Sequence, residues 1–185
     1  MSKARHTAQP GDIFLLLVPI GNDLKRLRGE QLSWQVRYGG HPVEPIHITV
    51  ERFTPTNDQL PQDCVRTLHK RIFEIESFPI EADGIIQFFA PYWQSYVLRW
   101  RVHASPAWID FRERLKVALE QINCPSHFTR RRHATCTILI LEDKIDLPQE
   151  KNHLSMPLFT AWDLRISTLN EDGQFEILET LKLSG

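Results

Sequence analysis

Residues 45–53 read PIHITVERF and residues 131–139 read RRHATCTIL. In the first stretch Ile46, Ile48 and Val50 alternate with His47 and Thr49. In the second, Ala134, Cys136 and Ile138 alternate with His133, Thr135 and Thr137. A period of two is the mark of a strand with one buried face. Each predicted strand, 46–53 and 133–141, therefore presents an imidazole and a hydroxyl side by side, anchored by apolar residues behind them. The two His-x-Thr pairs lie 86 residues apart, one in each half of the chain.

The flanking sequence continues the pattern. Residues 13–20 (IFLLLVPI) predict a buried strand. Asn22 or Asp23 is placed to cap a helix carrying Leu24, Leu27, Leu32 and Val36, which stops at Gly39-Gly40. A second helix is expected over 58–77, with Pro61 in its first turn. Strands at 79–89 and 95–104 turn around Pro91. Ser105-Pro106 then supplies a cap and a first-turn proline for a third helix. That helix places Trp108, Ile109, Phe111, Leu115, Leu119 and Ile122 on one broad face. Residues 147–155 read as a loop or short helix. Two closing strands, 158–169 and 175–183, are joined by Asn170-Glu171-Asp172-Gly173, whose Asp-Gly step favours a hairpin. No linker divides this order, so residues 13–185 are expected to form one domain behind a flexible leader of residues 1–12.

Bulk properties narrow the class. A chain of 185 residues suffices for one domain or two half-sized lobes. Its 42% hydrophobic and 24% charged content is that of an ordinary globular protein. No apolar run reaches the roughly 18 residues of a membrane span, and the leader lacks a secretory core. Three cysteines (Cys64, Cys124, Cys136) are too few and too irregular for a disulfide framework, which points to a reducing cytoplasm. A net charge of −1 excludes a general polyanion binder, leaving only local basic patches for nucleic acid.

Paired His-x-Thr strands carry a definite chemistry. One imidazole can take a proton from an attacking water while the other gives one to a leaving oxygen. Threonine hydroxyls donate to non-bridging phosphoryl oxygens, where charge accumulates. Such a centre needs no metal. The competing reading makes these ordinary sheet residues, threonine being a good strand former. With eight histidines in the chain, two such pairs arise by chance in roughly one sequence in ten. Their shared strand context favours the chemical reading.

The two quoted stretches resemble the paired motifs of the 2H phosphoesterase superfamily, which includes LigT-like 2′-5′ RNA ligases and 2′,3′-cyclic phosphodiesterases. The similarity extends over most of residues 12–183 and takes in the opening strand and the closing hairpin. It implies an α+β, bilobal fold: two mostly antiparallel sheets with flanking helices around a central groove. It further implies that His47 and His133 form the acid–base pair, that Thr49 and Thr135 hold phosphate, and that no cofactor is used. A metal-independent phosphodiesterase is expected, acting on a 2′,3′-cyclic phosphate or a 2′-5′ linkage. The substrates would be RNA ends, oligonucleotides or small cyclic nucleotides, with the chain a monomer in the cytoplasm. The second stretch departs from the family pattern, with Arg132 before the histidine and Cys136-Thr137-Ile138 after the threonine.

Residues around the motifs extend the candidate site. Arg130 and Arg131, with Arg132, offer guanidinium groups that match phosphate geometry. Phe53, Tyr92, Trp93 and Tyr96 offer faces for base stacking. Two alternatives stay open. One is a nucleotide- or RNA-binding module of the same fold without turnover. The other is a small zinc protein, since Cys124, His127, His133 and Cys136 are four possible ligands.

Overall fold

Antiparallel pairing of nine strands builds a single curled sheet from the described residues. The computed structural model describes residue 8 and residues 11–55, 61–72, 75–91, 93–124, 134–147 and 155–184. The strands are β1 (Ile13–Leu17), β2 (His41–Pro42), β3 (Ile48–Phe53), β4 (Phe78–Ala90), β5 (Ser95–Val102), β6 (Thr135–Leu141), β7 (Met156–Ala161), β8 (Asp163–Leu169) and β9 (Phe175–Lys182). The helices are α1 (Gly21–Tyr38), α2 (Pro61–Ile72) and α3 (Pro106–Gln121). Spatial order is β7-β4-β5-β6-β3-β1-β8-β9, with β2 paired to the far part of β6.

The expected two sheets appear as two four-stranded halves, β7-β4-β5-β6 and β3-β1-β8-β9. They meet along β3 and β6, where Ile48 and Cys136 are the registered pair. The outer ends also approach, because Ser184 bridges Glu76 and its amide donates to the Ile75 carbonyl at 2.9 Å. Each motif strand thus lies at the inner edge of its own half.

Alternation assigns the faces. Ile13, Leu15 and Leu17 join Ile48, Val50, Trp100 and Ile138 in the main core, under apolar residues of all three helices. Phe14, Leu16 and Val18 form a smaller cluster with Leu169 and Phe175 on the other side of β1. Helix α3 begins as predicted: Ser105 Oγ accepts from the Trp108 amide at 3.2 Å, with Pro106 in the first turn. Among the described residues no helix is long and apolar enough to cross a membrane.

Several expectations are corrected. Helix α1 starts at Gly21 with no side-chain cap. Asp23 instead accepts from the Thr160 amide at 3.2 Å, tying the helix to β7. Its buried stripe is Leu27, Gln31 and Trp34, so Leu32 and Val36 are exposed, as is Ile109 of α3. The strand predicted over 158–169 is two strands, broken at Trp162, with β7 on β4 and β8 on β1. Asp12, assigned to the leader, is buried and accepts from Thr54 Oγ1 at 2.7 Å. The rest of the leader, apart from Ala8 and Gly11, lies outside the described residues, as do 56–60 and 148–154.

Candidate functional site

A row of fully buried side chains crosses the middle of the sheet: Leu17, Ile48, Cys136, Trp100 and Ile85, each registered with the next. Residues one step along each strand must emerge on the opposite face. On one side of the row these are Leu16, Thr49, Thr135 and Arg101, with Leu16 opposite Thr49 and Arg101 opposite Thr135. On the other side they are His47, just before β3, and Thr137 opposite Arg99. Registered partners on adjacent strands project to the same side. His47, Thr49, Thr135, Thr137, Arg99 and Arg101 therefore share the face away from the core. Arg165, opposite Leu16, extends this face onto β8.

His47 is oriented from two directions. Its Nδ1 lies 2.7 Å from the Pro45 carbonyl oxygen, which accepts only. Nδ1 must carry the proton, leaving the Nε2 lone pair available. The imidazole meets the Phe175 ring edge-to-face, with centroids 5.0 Å apart. Burial pushes its pKa below the ordinary histidine value. The Pro45 carbonyl opposes that shift and the Arg99 charge adds to it. The result is an imidazole that is neutral near pH 7.

Arg99 organises the β6 side. Its Nη1 donates to Thr135 Oγ1 at 3.2 Å. The guanidinium carbon sits 4.8 Å from the Phe88 ring centre and 5.8 Å from that of Trp93. Arg101 is held differently, its Nε donating to Asp83 Oδ1 at 2.5 Å. Behind the face, burial lifts the Cys136 thiol to about 12, despite a backbone hydrogen bond with His47 and the nearby Arg99 charge. At neutral pH it is an uncharged core group.

The structure brings His47, Thr49 and Thr135 to one face. His133, Arg130, Arg131, Tyr92 and His127 lie outside the described residues. Tyr96 packs edge-to-face on Phe89, with centroids 5.3 Å apart. Phe53 is a correction: it is fully buried in the main core and has no face for a base. Its position follows from a bulge in the β1–β3 pairing, where register shifts between Leu15 and Leu16. Of the zinc candidates, Cys136 points into the core, and Cys124 Sγ lies 3.9 Å from Cys64 Sγ. Among the described residues no three His, Cys, Asp or Glu side chains gather as a metal site.

Sequence reasoning missed Arg99 and Phe175, whereas alternation had already put Thr137 on the face of Thr135. Arg99 and Arg101 do alternate with Leu98, Trp100 and Val102 in the run LRWRV, a visible polar face. That this face adjoins Thr135 depends on β5 pairing with β6, which alternation alone does not specify. Phe175 approaches from a distant hairpin and carries no local signal.

No family model and no curated protein matches the chain. Solved structures do. TT0787 of Thermus thermophilus superimposes with TM-score 0.68 at 16% identity, covering 94% of this chain and 98% of that one. E. coli LigT complexed with 3′-AMP gives TM-score 0.66 at 15% identity, over 96% and 100%. The MHV ns2 PDE domain gives 0.55 at 13% identity, over 93% and 99%. At such identities the likeness is one of architecture, and on that ground the polypeptide has the 2H phosphoesterase fold.

Proposed function

We propose that the protein is a metal-independent phosphodiesterase that opens 2′,3′-cyclic phosphates or cleaves 2′-5′ linkages in RNA or nucleotides. The observation that carries this reading is the shared face: a neutral His47 beside two threonines at the join of the sheet halves. That solved LigT structures hold 3′-AMP and phosphate supports a nucleotide ligand for this face.

His47 is assigned as the base, because Pro45 holds its Nδ1 proton and leaves Nε2 to accept one. In the cyclic-phosphate case, water attacks phosphorus and passes a proton to His47 Nε2. The bond from phosphorus to one ribose oxygen breaks, and that oxygen takes a proton from His133. The product is a phosphomonoester, and solvent exchange restores both histidines. Thr49 and Thr135 donate to the non-bridging oxygens as their charge grows. The reaction thus draws its acid, base and charge stabilisation from side chains and uses no cofactor.

Purified protein is to be assayed in excess EDTA against 2′,3′-cyclic nucleotides, cyclic-phosphate-ended RNA and 2′-5′ oligoadenylates. Turnover of at least one class is expected. Binding without product from any of them would replace this reading with that of a nucleotide-binding module.

A further inference from the structure

We infer that Arg99 is the positioning residue of the second threonine, its guanidinium setting Thr135 as a hydrogen-bond donor toward a phosphoryl oxygen. A hydroxyl has one proton and two lone pairs, whereas a guanidinium only donates. In the 3.2 Å contact the Thr135 oxygen must therefore be the acceptor. One lone pair is thereby occupied, and the hydroxyl proton is turned away from Arg99. Thr135 stands on the face it shares with Thr49 and His47, so that proton is left for a ligand on this face. A threonine without this partner would rotate freely and accept as readily as it donates.

The guanidinium is itself held in place. Phe88 and Trp93 bracket it from the β4–β5 hairpin, at 4.8 and 5.8 Å from their ring centres. Backbone register fixes its base opposite Thr137, one alternation from Thr135. Arg99 thus spans three elements of one half: the hairpin tip, β5 and the motif strand β6. The same charge disfavours protonation of His47 across the join.

This inference rests on the proposed function only for the identity of the natural ligand, so it is tested by binding rather than turnover. Inorganic phosphate is titrated by calorimetry into wild type, Arg99→Gln, Thr135→Val and the double variant, with thermal melts confirming that each is folded. Arg99→Gln and Thr135→Val are each expected to weaken binding about tenfold or more, the scale of a charge-assisted hydrogen bond. The double variant is expected to be no weaker than the poorer single one, within about twofold. Thr135→Ser, which keeps the hydroxyl, should remain sensitive to Arg99→Gln. Should Arg99→Gln not fold, Arg99→Lys enters the same cycle, with a smaller loss that again vanishes beside Thr135→Val. Unchanged binding in the Arg99 variant, fully additive losses, or no phosphate binding by wild type would each overturn the inference. Absence of turnover with an intact binding cycle would instead sink the phosphodiesterase reading alone.

Discussion

In the proposed reaction His47 is the base, and its surroundings make two predictions. The depressed pKa means that the neutral form persists to lower pH than for a free side chain. The acid limb of kcat/KM should therefore fall below the ~6.5 of unperturbed histidine, and Arg99→Gln should move it upward. A limb above that value would contradict the assignment of His47 as base. The linked effect on stability has a definite sign. Above ~6.5 both folded and unfolded forms are neutral. As pH falls from there the unfolded chain takes the proton first, so stability is lost until the folded-state pKa is passed. Urea midpoints for wild type should accordingly drop more between pH 7 and pH 5 than those of His47→Gln. Much of this site is legible in PIHITVERF, because alternation alone puts His47 and Thr49 opposite Ile46, Ile48 and Val50. The Pro45 carbonyl and the Phe175 edge are not legible, since a ring's orientation depends on backbone turns and on a strand more than 120 residues away.

Capping chemistry and backbone conformation set the elements that carry the site. Ser105→Ala removes the acceptor for the Trp108 amide and should cost about 1 kcal/mol in denaturant unfolding, with turnover unchanged. Gly40 is less forgiving. Its φ is +84°, and an added Cβ would meet the Ile140 carbonyl oxygen and the Leu141 side chain closer than van der Waals contact. Gly40→Ala should cost about 2 kcal/mol or more and loosen β2 from β6, which amide exchange on β6 would report. Helix and strand identities follow well from periodicity, and the Ser-Pro pair marks the start of α3 directly. The break at Trp162 leaves only a weak mark, the poor strand formers Ala161 and Asp163 within an otherwise strand-forming run. Their division between β4 and β1 is a matter of which sheet edges lie within reach. Helix α1 misleads for a related reason: Gln31 is buried, donating to the Val43 and Ile138 carbonyls at 3.1 and 2.8 Å, while apolar Leu32 and Val36 face outward.

The two halves of the sheet share a single apolar core that includes residues of all three helices. They should therefore unfold together, giving coincident denaturant transitions by tryptophan fluorescence and far-UV circular dichroism. Separated transitions would mean that the halves are independent units. Ile48, fully buried at the join, is the sensitive point: Ile48→Ala should cost about 2–5 kcal/mol. This joining puts Thr135 on the face of His47 and Thr49, and the proposed function makes that face the reactive one. The most direct test of that claim is kcat/KM on a 2′,3′-cyclic nucleotide, with EDTA present, for wild type, His47→Ala and His133→Ala. Each alanine variant should fold normally and lose about a hundredfold or more. Activity that survives in either variant, or that EDTA abolishes in wild type, would contradict the account.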